Sequence, residues 1–145
     1  MNDKKKVLLV EDDNGIRMAV ASILERQGYE VNSVCDGEEA LKQVDGADVV
    51  LLDIFLPKVT GDEFLRRIRK AGNYVPVIVM SAAMQEKEGM DCFKEFKIVD
   101  YVGKPFKTKD LVDKVNRACS IADDISVVRS ATDRLKGFIT RQAAL

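Results

Sequence analysis

The chain has 145 residues, 46% of them hydrophobic, and its 23 basic and 24 acidic residues leave a formal net charge of -1. This length supports one ordinary core. The balanced charge argues against a protein whose main task is to bind nucleic acid or an anionic membrane. No apolar run approaches a bilayer span, and the first residues lack the apolar stretch of a signal peptide. We therefore expect a cytoplasmic protein.

Two features of the composition narrow the chemistry. The sequence contains no histidine, which excludes Ser/His and Cys/His nucleophilic machinery and the commonest zinc sites. A bound metal would need oxygen ligands, which are typical of Mg²⁺ or Ca²⁺. Cys35, Cys92 and Cys119 are widely separated and form no C-x-x-C pair, so we interpret them as reduced thiols.

Short apolar segments alternate with segments of helical period. The predicted strands are Val7–Val10, Glu30–Val34, Val49–Leu52, Val77–Met80 and Ile98–Val102. The first, third and fourth are continuous apolar runs, typical of strands that are covered on both faces, and the more polar second strand is expected at an edge. Strands that alternate with helices predict parallel pairing through right-handed crossovers. The expected fold class is α/β, with one doubly wound, five-stranded parallel sheet.

Capping signals locate the first three helices. Gly28 follows the apolar pattern of the first helix and is expected to end it. Asp36 with Glu39, and Thr60 with Glu63, have the spacing of capping boxes. We expect these pairs to open the second and third helices.

The last part of the chain continues in helical period. A fourth helix is predicted over 84–96 and a fifth over 108–119. Within 121–145, apolar or small side chains recur at alternating steps of four and three: Ile121, Ile125, Val128, Thr132, Leu135 and Ile139. This stripe fits a helix that continues the fifth and packs back on the domain, and it fits a dimerising or linker helix equally well. We expect one domain over 1–120 and a helical extension or linker over 121–145.

Polar side chains follow four of the five predicted strands. They are Glu11 and Asp12 after the first, Asp53 after the third, Ser81 after the fourth and Lys104 after the fifth. Ligands of open α/β sheets bind beyond the carboxyl ends of the strands. We therefore expect these groups to converge on one crevice.

The expected crevice holds three acids, which repel one another. At about 5 Å and an effective dielectric near 20, each like-charge pair costs about 3 kcal/mol. A divalent cation removes this cost, and Mg²⁺ prefers one or two carboxylates together with phosphate oxygens. Asp53 can then attack a phosphoryl group, while Lys104 and the Ser81 hydroxyl stabilise the charge on the phosphoryl oxygens.

Four motifs in order resemble the receiver domain of two-component response regulators, of the kind found in chemotaxis and sporulation regulators. They are Val10-Glu11-Asp12-Asp13, Leu52-Asp53-Ile54-Phe55-Leu56-Pro57 followed by Gly61, Met80-Ser81-Ala82, and Asp100-Tyr101-Val102-Gly103-Lys104-Pro105-Phe106. The resemblance covers about residues 5–120. Glu11 and Asp12 register as the acidic pair of the family, and Asp13 is interpreted as a helix-terminus residue.

The resemblance implies a flavodoxin-like strand order, 2-1-3-4-5, and phosphoryl transfer to Asp53 from a histidine kinase or a histidine phosphotransfer protein in a phosphorelay. It implies direct Mg²⁺ ligation by Asp12, Asp53 and the Phe55 backbone carbonyl, with Glu11 acting through water. It also implies a cis peptide between Lys104 and Pro105.

In the family, the group at Ser81 moves toward the phosphoryl group and the ring at Tyr101 turns inward. This movement switches the face made by the fourth helix, fifth strand and fifth helix.

Two departures from the family pattern have consequences. The segment Phe93–Ile98 stands where relatives usually have a Gly-Ala turn, so the output face is expected to differ in shape. Phe55 and Ala83 are apolar at positions where some relatives have polar groups. We hypothesise that they orient the attacking water poorly and give a long-lived phosphoryl group.

Three alternatives stay open from the sequence. An enzyme with an aspartate nucleophile, such as a phosphatase, would resemble D-x-D after the first strand, which Asp12-Asp13-Asn14 does not match. The second alternative is an interaction module whose acidic site is never phosphorylated. The third concerns output, either a stand-alone regulator or the front of a longer one. The only activity that we expect is self-phosphorylation and autodephosphorylation. Expected partners are the phosphodonor, a downstream protein target or appended effector domain, and a second copy in a homodimer.

Overall fold

Five strands alternate with five α-helices within residues 4–143, the part of the chain that the computed structural model describes. The strands are β1 (Lys6–Val10), β2 (Glu30–Val34), β3 (Val49–Asp53), β4 (Val77–Ser81) and β5 (Asp100–Gly103). The α-helices are α1 (Asn14–Arg26), α2 (Gly37–Gln43), α3 (Gly61–Lys70), α4 (Glu86–Cys92) and α5 (Thr108–Ala143). Short 3₁₀ helices span Val44–Gly46 and Lys94–Phe96.

The strands form one parallel sheet in the order β2-β1-β3-β4-β5. This confirms the expected class and strand order. All five residues of β3 and of β4 are buried, whereas β2 lies at an edge and is largely exposed. The continuous apolar runs are therefore the central strands, as predicted.

Successive side chains of the central strands enter two apolar layers, because neighbouring residues of a strand point to opposite faces. One layer joins Leu8 and Leu52 to Phe64 of α3. The other joins Leu9 and Leu51 to residues of α1 and α5 (Val20, Leu24, Leu111 and Val115). Because all the strands are parallel, their carboxyl ends meet at one edge of the sheet, and the helices on the two faces leave this edge open.

The helix starts show which capping predictions hold. The Asp36 carboxylate accepts a hydrogen bond from the Glu39 backbone N–H at 2.8 Å and caps α2, as predicted. Thr60 occupies the corresponding position of α3 but makes no side-chain capping bond. The prediction of a capping box there is wrong, because Glu63 pairs with Arg66 and Arg67 instead.

The segment before β5 departs most from its prediction. A single helix over 84–96 was expected, but α4 ends at Cys92 and a separate 3₁₀ turn follows. Lys97 then takes a left-handed conformation with φ 55°. The Arg69 side chain donates to the Phe96 carbonyl at 2.7 Å and the Val75 carbonyl at 2.8 Å. The Arg69 side chain thus satisfies backbone carbonyls in this segment, which a regular helix would satisfy with its own N–H groups. Strand β5 begins at Asp100, two residues later than predicted.

The fifth helix does not end near Cys119 but continues to Ala143. Of the two interpretations of the extension, packing back on the domain fails beyond Ile125, since every residue of 126–143 except Gly137 is exposed. The last two residues of the predicted extension, Ala144 and Leu145, lie outside the described residues. No described helix has an apolar stretch long enough to cross a membrane.

Candidate functional site

Asp53 is the last residue of β3, and its side chain emerges at the open edge of the sheet. The residue is 6% exposed, and its Oδ1 accepts a hydrogen bond from the Phe55 backbone N–H at 3.1 Å. Gly61 allows α3 to begin close behind it, because a Cβ at that position would lie 2.7 Å from Ile54 Cα. The backbone therefore holds the Asp53 carboxylate in one place.

Three carboxylates meet at this edge. Glu11, Asp12 and Asp53 each offer an oxygen, and these oxygens lie within 4.8 Å of one another. Glu11 is 1% exposed whereas Asp12 is exposed. Asp13 points elsewhere, since its Oδ1 accepts from the Ile16 backbone N–H at 2.9 Å and caps α1. The acid cluster consists of the three residues that the sequence predicted to converge.

Lys104 supplies the positive charge of the site. Its Nζ lies 2.7 Å from Glu11 Oε2 and 3.4 Å from Asp53 Oδ2. Burial alone lowers the pKa of Lys104, but the hydrogen bond to Glu11 and the charges of Asp53 and Glu11 outweigh it and raise that pKa above its ordinary value. Burial, reinforced by the charge of Asp53, raises the pKa of Glu11 although Lys104 opposes the rise. The pocket thus favours cations.

Ser81 is the last residue of β4, and Tyr101 lies within the neighbouring strand β5, where it pairs with Val79. Ser81 is 1% exposed, and its Oγ accepts a hydrogen bond from the Ala83 backbone N–H at 3.0 Å, which leaves its hydroxyl proton available to a ligand. Tyr101 is fully buried, and its hydroxyl lies 2.7 Å from the Met84 carbonyl and 3.2 Å from the Ser81 carbonyl. The ring therefore occupies the inward position of the proposed switch.

Two residues of this region were not found by sequence reasoning. Gly89 of α4 packs on the Tyr101 ring, and a Cβ there would lie 2.3 Å from its Cδ2. Lys114 of α5 is 4% exposed, and its Nζ donates to the Tyr101 carbonyl at 2.6 Å. A glycine inside a short helix is the one sequence signal that could have pointed to the first. A lysine on an otherwise apolar helix face could have pointed to the second.

The remaining site predictions concern Phe55 and the loop after β5. The Phe55 side chain is 65% exposed beside the acid cluster. The Lys104–Pro105 peptide is cis, as the resemblance implied. Six of the predicted residues (Glu11, Asp12, Asp53, Phe55, Ser81 and Lys104) thus lie at strand ends or in loops at one edge of the sheet. Tyr101 lies inside β5, and its hydroxyl is 3.2 Å from the Ser81 carbonyl.

Comparisons with known proteins agree with this geometry. The family model described as the response regulator receiver domain matches residues 7–116. The transcriptional regulatory protein DltR of Streptococcus agalactiae is 35% identical over 115 residues, which are 76% of this chain and 50% of DltR. The alkaline phosphatase synthesis regulatory protein PhoP of Bacillus subtilis is 32% identical over 140 residues, 93% of this chain and 57% of PhoP. The chain spans about half the length of these relatives.

Solved structures give the same result. The Francisella response regulator 1452 receiver domain has a TM-score of 0.76 and 29% identity, covering 81% of this chain and 98% of that one. The chemotaxis response regulator CheY4 of Vibrio cholerae has a TM-score of 0.72 and 31% identity, covering 79% and 98%. The chain belongs to the response regulator receiver domain family of two-component systems.

Proposed function

We propose that Asp53 is the phosphoacceptor of this receiver domain. The observation that supports this most directly is the environment of its carboxylate, which is nearly buried, 3.4 Å from Lys104 Nζ and grouped with Glu11 and Asp12. Buried like charges are costly without a cation. Acidic groups beside a lysine are the surroundings expected for a carboxylate that accepts a phosphoryl group next to a divalent ion.

The residues present fit Mg²⁺. Three carboxylate oxygens within 4.8 Å of one another form a hard oxygen donor set. Asp12, Asp53 and the Phe55 backbone carbonyl would hold the ion directly, and Glu11 would hold it through water. When bound, Mg²⁺ neutralises negative charge on the phosphoryl oxygens.

The transfer itself is a displacement at phosphorus. An Asp53 oxygen attacks the phosphorus of a phosphohistidine on a partner protein, the phosphorus–nitrogen bond breaks, and the departing imidazole takes a proton from solvent. Lys104 Nζ and the Ser81 hydroxyl donate to the phosphoryl oxygens. Lys104 must then exchange its present partners for phosphoryl oxygens, and the raised pKa of its ammonium group keeps it charged.

Phosphorylation would act on the face formed by α4, β5 and α5. The Ser81 carbonyl accepts a hydrogen bond from the Tyr101 hydroxyl at 3.2 Å. A phosphoryl group that engages the Ser81 hydroxyl therefore acts on the hydrogen-bond network around Tyr101 and on the loop to α4. The donor would be a histidine kinase or a histidine phosphotransfer protein, and the output would pass to a downstream protein target or an effector domain. The relatives named as transcriptional regulators favour the effector domain. The expected place of action is the cytoplasm.

The decisive experiment is phosphorylation by a small phosphoramidate in Mg²⁺ buffer. The native chain is expected to gain one phosphoryl group in a hydroxylamine-sensitive acyl phosphate linkage, and Asp53→Asn is expected to gain none. Asp13→Asn is the matched control, because asparagine caps a helix as well as aspartate does. Equal labelling of the native and Asp53→Asn chains would contradict the proposal.

Two further measurements separate the alternative classes. Continuous turnover of a small phosphate ester would favour a phosphatase. Failure of beryllofluoride to bind in the presence of Mg²⁺ would favour an interaction module that is not phosphorylated. For the receiver function we expect tight beryllofluoride binding and no turnover of the ester.

The lifetime of the phosphoryl group is predicted to be long. Phe55 and Ala83 are both exposed beside the site, and neither side chain can hydrogen-bond an attacking water. Ala83→Asn is expected to shorten the half-life of the labelled chain several-fold, and Ala82→Asn, one residue away, serves as control. Loss of label from the native chain within seconds would overturn the prediction.

A further inference from the structure

Helix α5 is far longer than its contact with the domain. It has 36 residues and a length of about 54 Å at 1.5 Å per residue. Its buried residues, Leu111, Lys114, Val115, Ala118 and Cys119, all lie in the first third. The remainder projects past the amino ends of the strands and has no cover among the described residues beyond Ile125.

The projecting part carries large apolar side chains in solvent. Val128 is 64% exposed, Leu135 59% and Ile139 57%. With Ile121, Ile125 and Thr132 they occupy the a and d positions of three successive heptads, if Ile121 is taken as d. A contiguous apolar stripe of this kind on a solvated helix is typical of an interface.

The stripe faces sideways from the domain. At 100° per residue, Val128, Leu135 and Ile139 lie about 120° around α5 from the face through which Leu111 and Val115 cover the sheet. A second helix can therefore approach the stripe freely beyond Val128, whereas at Ile121 and Ile125 it would lie beside Gly72 and Tyr74 of the domain. A groove of about 630 Å³ between the start of the stripe and the Gly72–Tyr74 loop is open on this side.

We propose that residues 121–143 form a parallel, in-register two-stranded coiled coil with the same segment of a second copy of this chain. The a and d side chains of the two copies would cover each other. The domain already fixes the first three turns of α5, so the cost of helix nucleation is met before the copies associate. Thr132 is the one polar residue of the stripe between Ile121 and Ile139, and it favours the register that pairs it with its own copy.

The flanking charges select the parallel orientation. Asp124 is at position g and Arg129 at the following e position, and both are exposed. A parallel in-register coil places Asp124 beside Arg129 of the second copy, twice per dimer. An antiparallel coil that overlays the whole stripe places Arg129 beside Arg129 of the second copy, which is repulsive. The two residues are five apart, so they are not neighbours on their own helix.

Sedimentation equilibrium of the full chain up to several hundred micromolar tests the assembly. The native chain is expected to form a dimer, and Val128→Glu is expected to lose it. Val127→Glu is the matched control, because Val127 is 68% exposed on the adjacent position c, off the stripe. A chain that stays monomeric throughout, or a dimer that survives Val128→Glu, would overturn the proposal, and the second result would direct attention to another surface.

Orientation and register have tests of their own. In a chain whose three native cysteines are replaced by serine, Leu135→Cys is expected to form an intermolecular disulfide readily, and Ser130→Cys on the outer face is not. Asp124→Arg is expected to weaken the dimer about tenfold, and adding Arg129→Asp is expected to restore it. Equal cross-linking at both cysteines, or no rescue, would contradict the parallel coil.

The assembly does not depend on the proposed phosphoacceptor. The same sedimentation measurements in the Asp53→Asn chain are expected to show the same dimer. Failure of phosphorylation at Asp53 would therefore leave this inference standing, and failure of the coil would leave the phosphoacceptor assignment standing. A dimer that disappears in Asp53→Asn would contradict a coil held by the stripe alone.

Discussion

The neighbouring residues Asp12 and Asp13 differ in role because β1 has ended and α1 is about to begin. Asp12 joins the carboxylates of Glu11 and Asp53, whereas Asp13 hydrogen-bonds the Ile16 backbone N–H as a helix cap. One residue along the chain therefore separates a group that can bind a cation from one that stabilises a helix. Mutation of the two can distinguish these roles.

Mg²⁺ is expected to stabilise the native chain by mass action, by about 2.7 kcal/mol at a concentration one hundred times its dissociation constant. Asp12→Asn is predicted to lose most of this gain, because it removes a carboxylate from the cluster. Asp13→Asn is predicted to keep it. Urea unfolding with Mg²⁺ and with chelator measures both. An equal loss in the two variants would show that the acidic pair is registered wrongly.

Gly89 determines how closely α4 can approach Tyr101. Since a Cβ at this position would lie 2.3 Å from the Tyr101 ring, Gly89→Ala is predicted to drive the ring outward and to break its hydrogen bond to the Met84 carbonyl. The measurement is ¹⁹F NMR of fluorotyrosine-labelled chains, with Tyr101→Phe to assign the signal. Gly46→Ala is the control, because a Cβ there meets nothing within 4 Å. A Tyr101 signal unchanged by Gly89→Ala would contradict the prediction.

At the scale of the elements, α4, β5 and α5 are joined by the buried Lys114. Its Nζ donates to the Tyr101 carbonyl at 2.6 Å and lies 3.3 Å from Glu86 and 3.6 Å from both Asp100 and Asp110. These partners come from all three elements of the proposed output face. A single ammonium group thereby couples the position of α4 to that of α5.

Lys114→Met is predicted to lower the free energy of unfolding by about 2 kcal/mol, chiefly because the buried Tyr101 carbonyl loses its donor. The acids are more exposed and recover solvation from water. Arg117→Met should have a small effect, since the Arg117 side chain is 67% exposed and its pair with Asp100 spans 3.7 Å. Chemical denaturation of both variants measures the difference. Equal destabilisation by the two would show that Lys114 acts only as a surface charge.

Elements with strong local signals could be predicted from the sequence. The apolar runs Val49–Leu52 and Val77–Met80 are rich in Val, Ile and Leu and too short for helices, so their type and burial could be predicted. The site followed from them, because parallel strands deliver their next residues to one edge. The break after Cys92 could not be foreseen, since the Arg69 guanidinium that satisfies the turn carbonyls lies far away in sequence. Contacts of this kind override local periodicity.

At the scale of the whole molecule, the domain and its helical extension have different sources of stability. The two apolar layers of the core contain no residue beyond Cys119 among their buried members. The ion pair of Lys5 with Asp123 is exposed and contributes little. The domain is therefore expected to fold without the distal part of α5, whereas that part depends on association for its cover.

A chain shortened to residues 1–126 tests this division, because no described residue of 127–143 is buried. At low concentration, its free energy of unfolding is predicted to lie within about 1 kcal/mol of the full chain, since surface residues away from packing contribute little each. Far-UV circular dichroism should show the lost helix. The Tm of the full chain should rise with protein concentration, because association stabilises by mass action, and that of the short chain should not. A short chain that is strongly destabilised at low concentration would place part of the core in the extension.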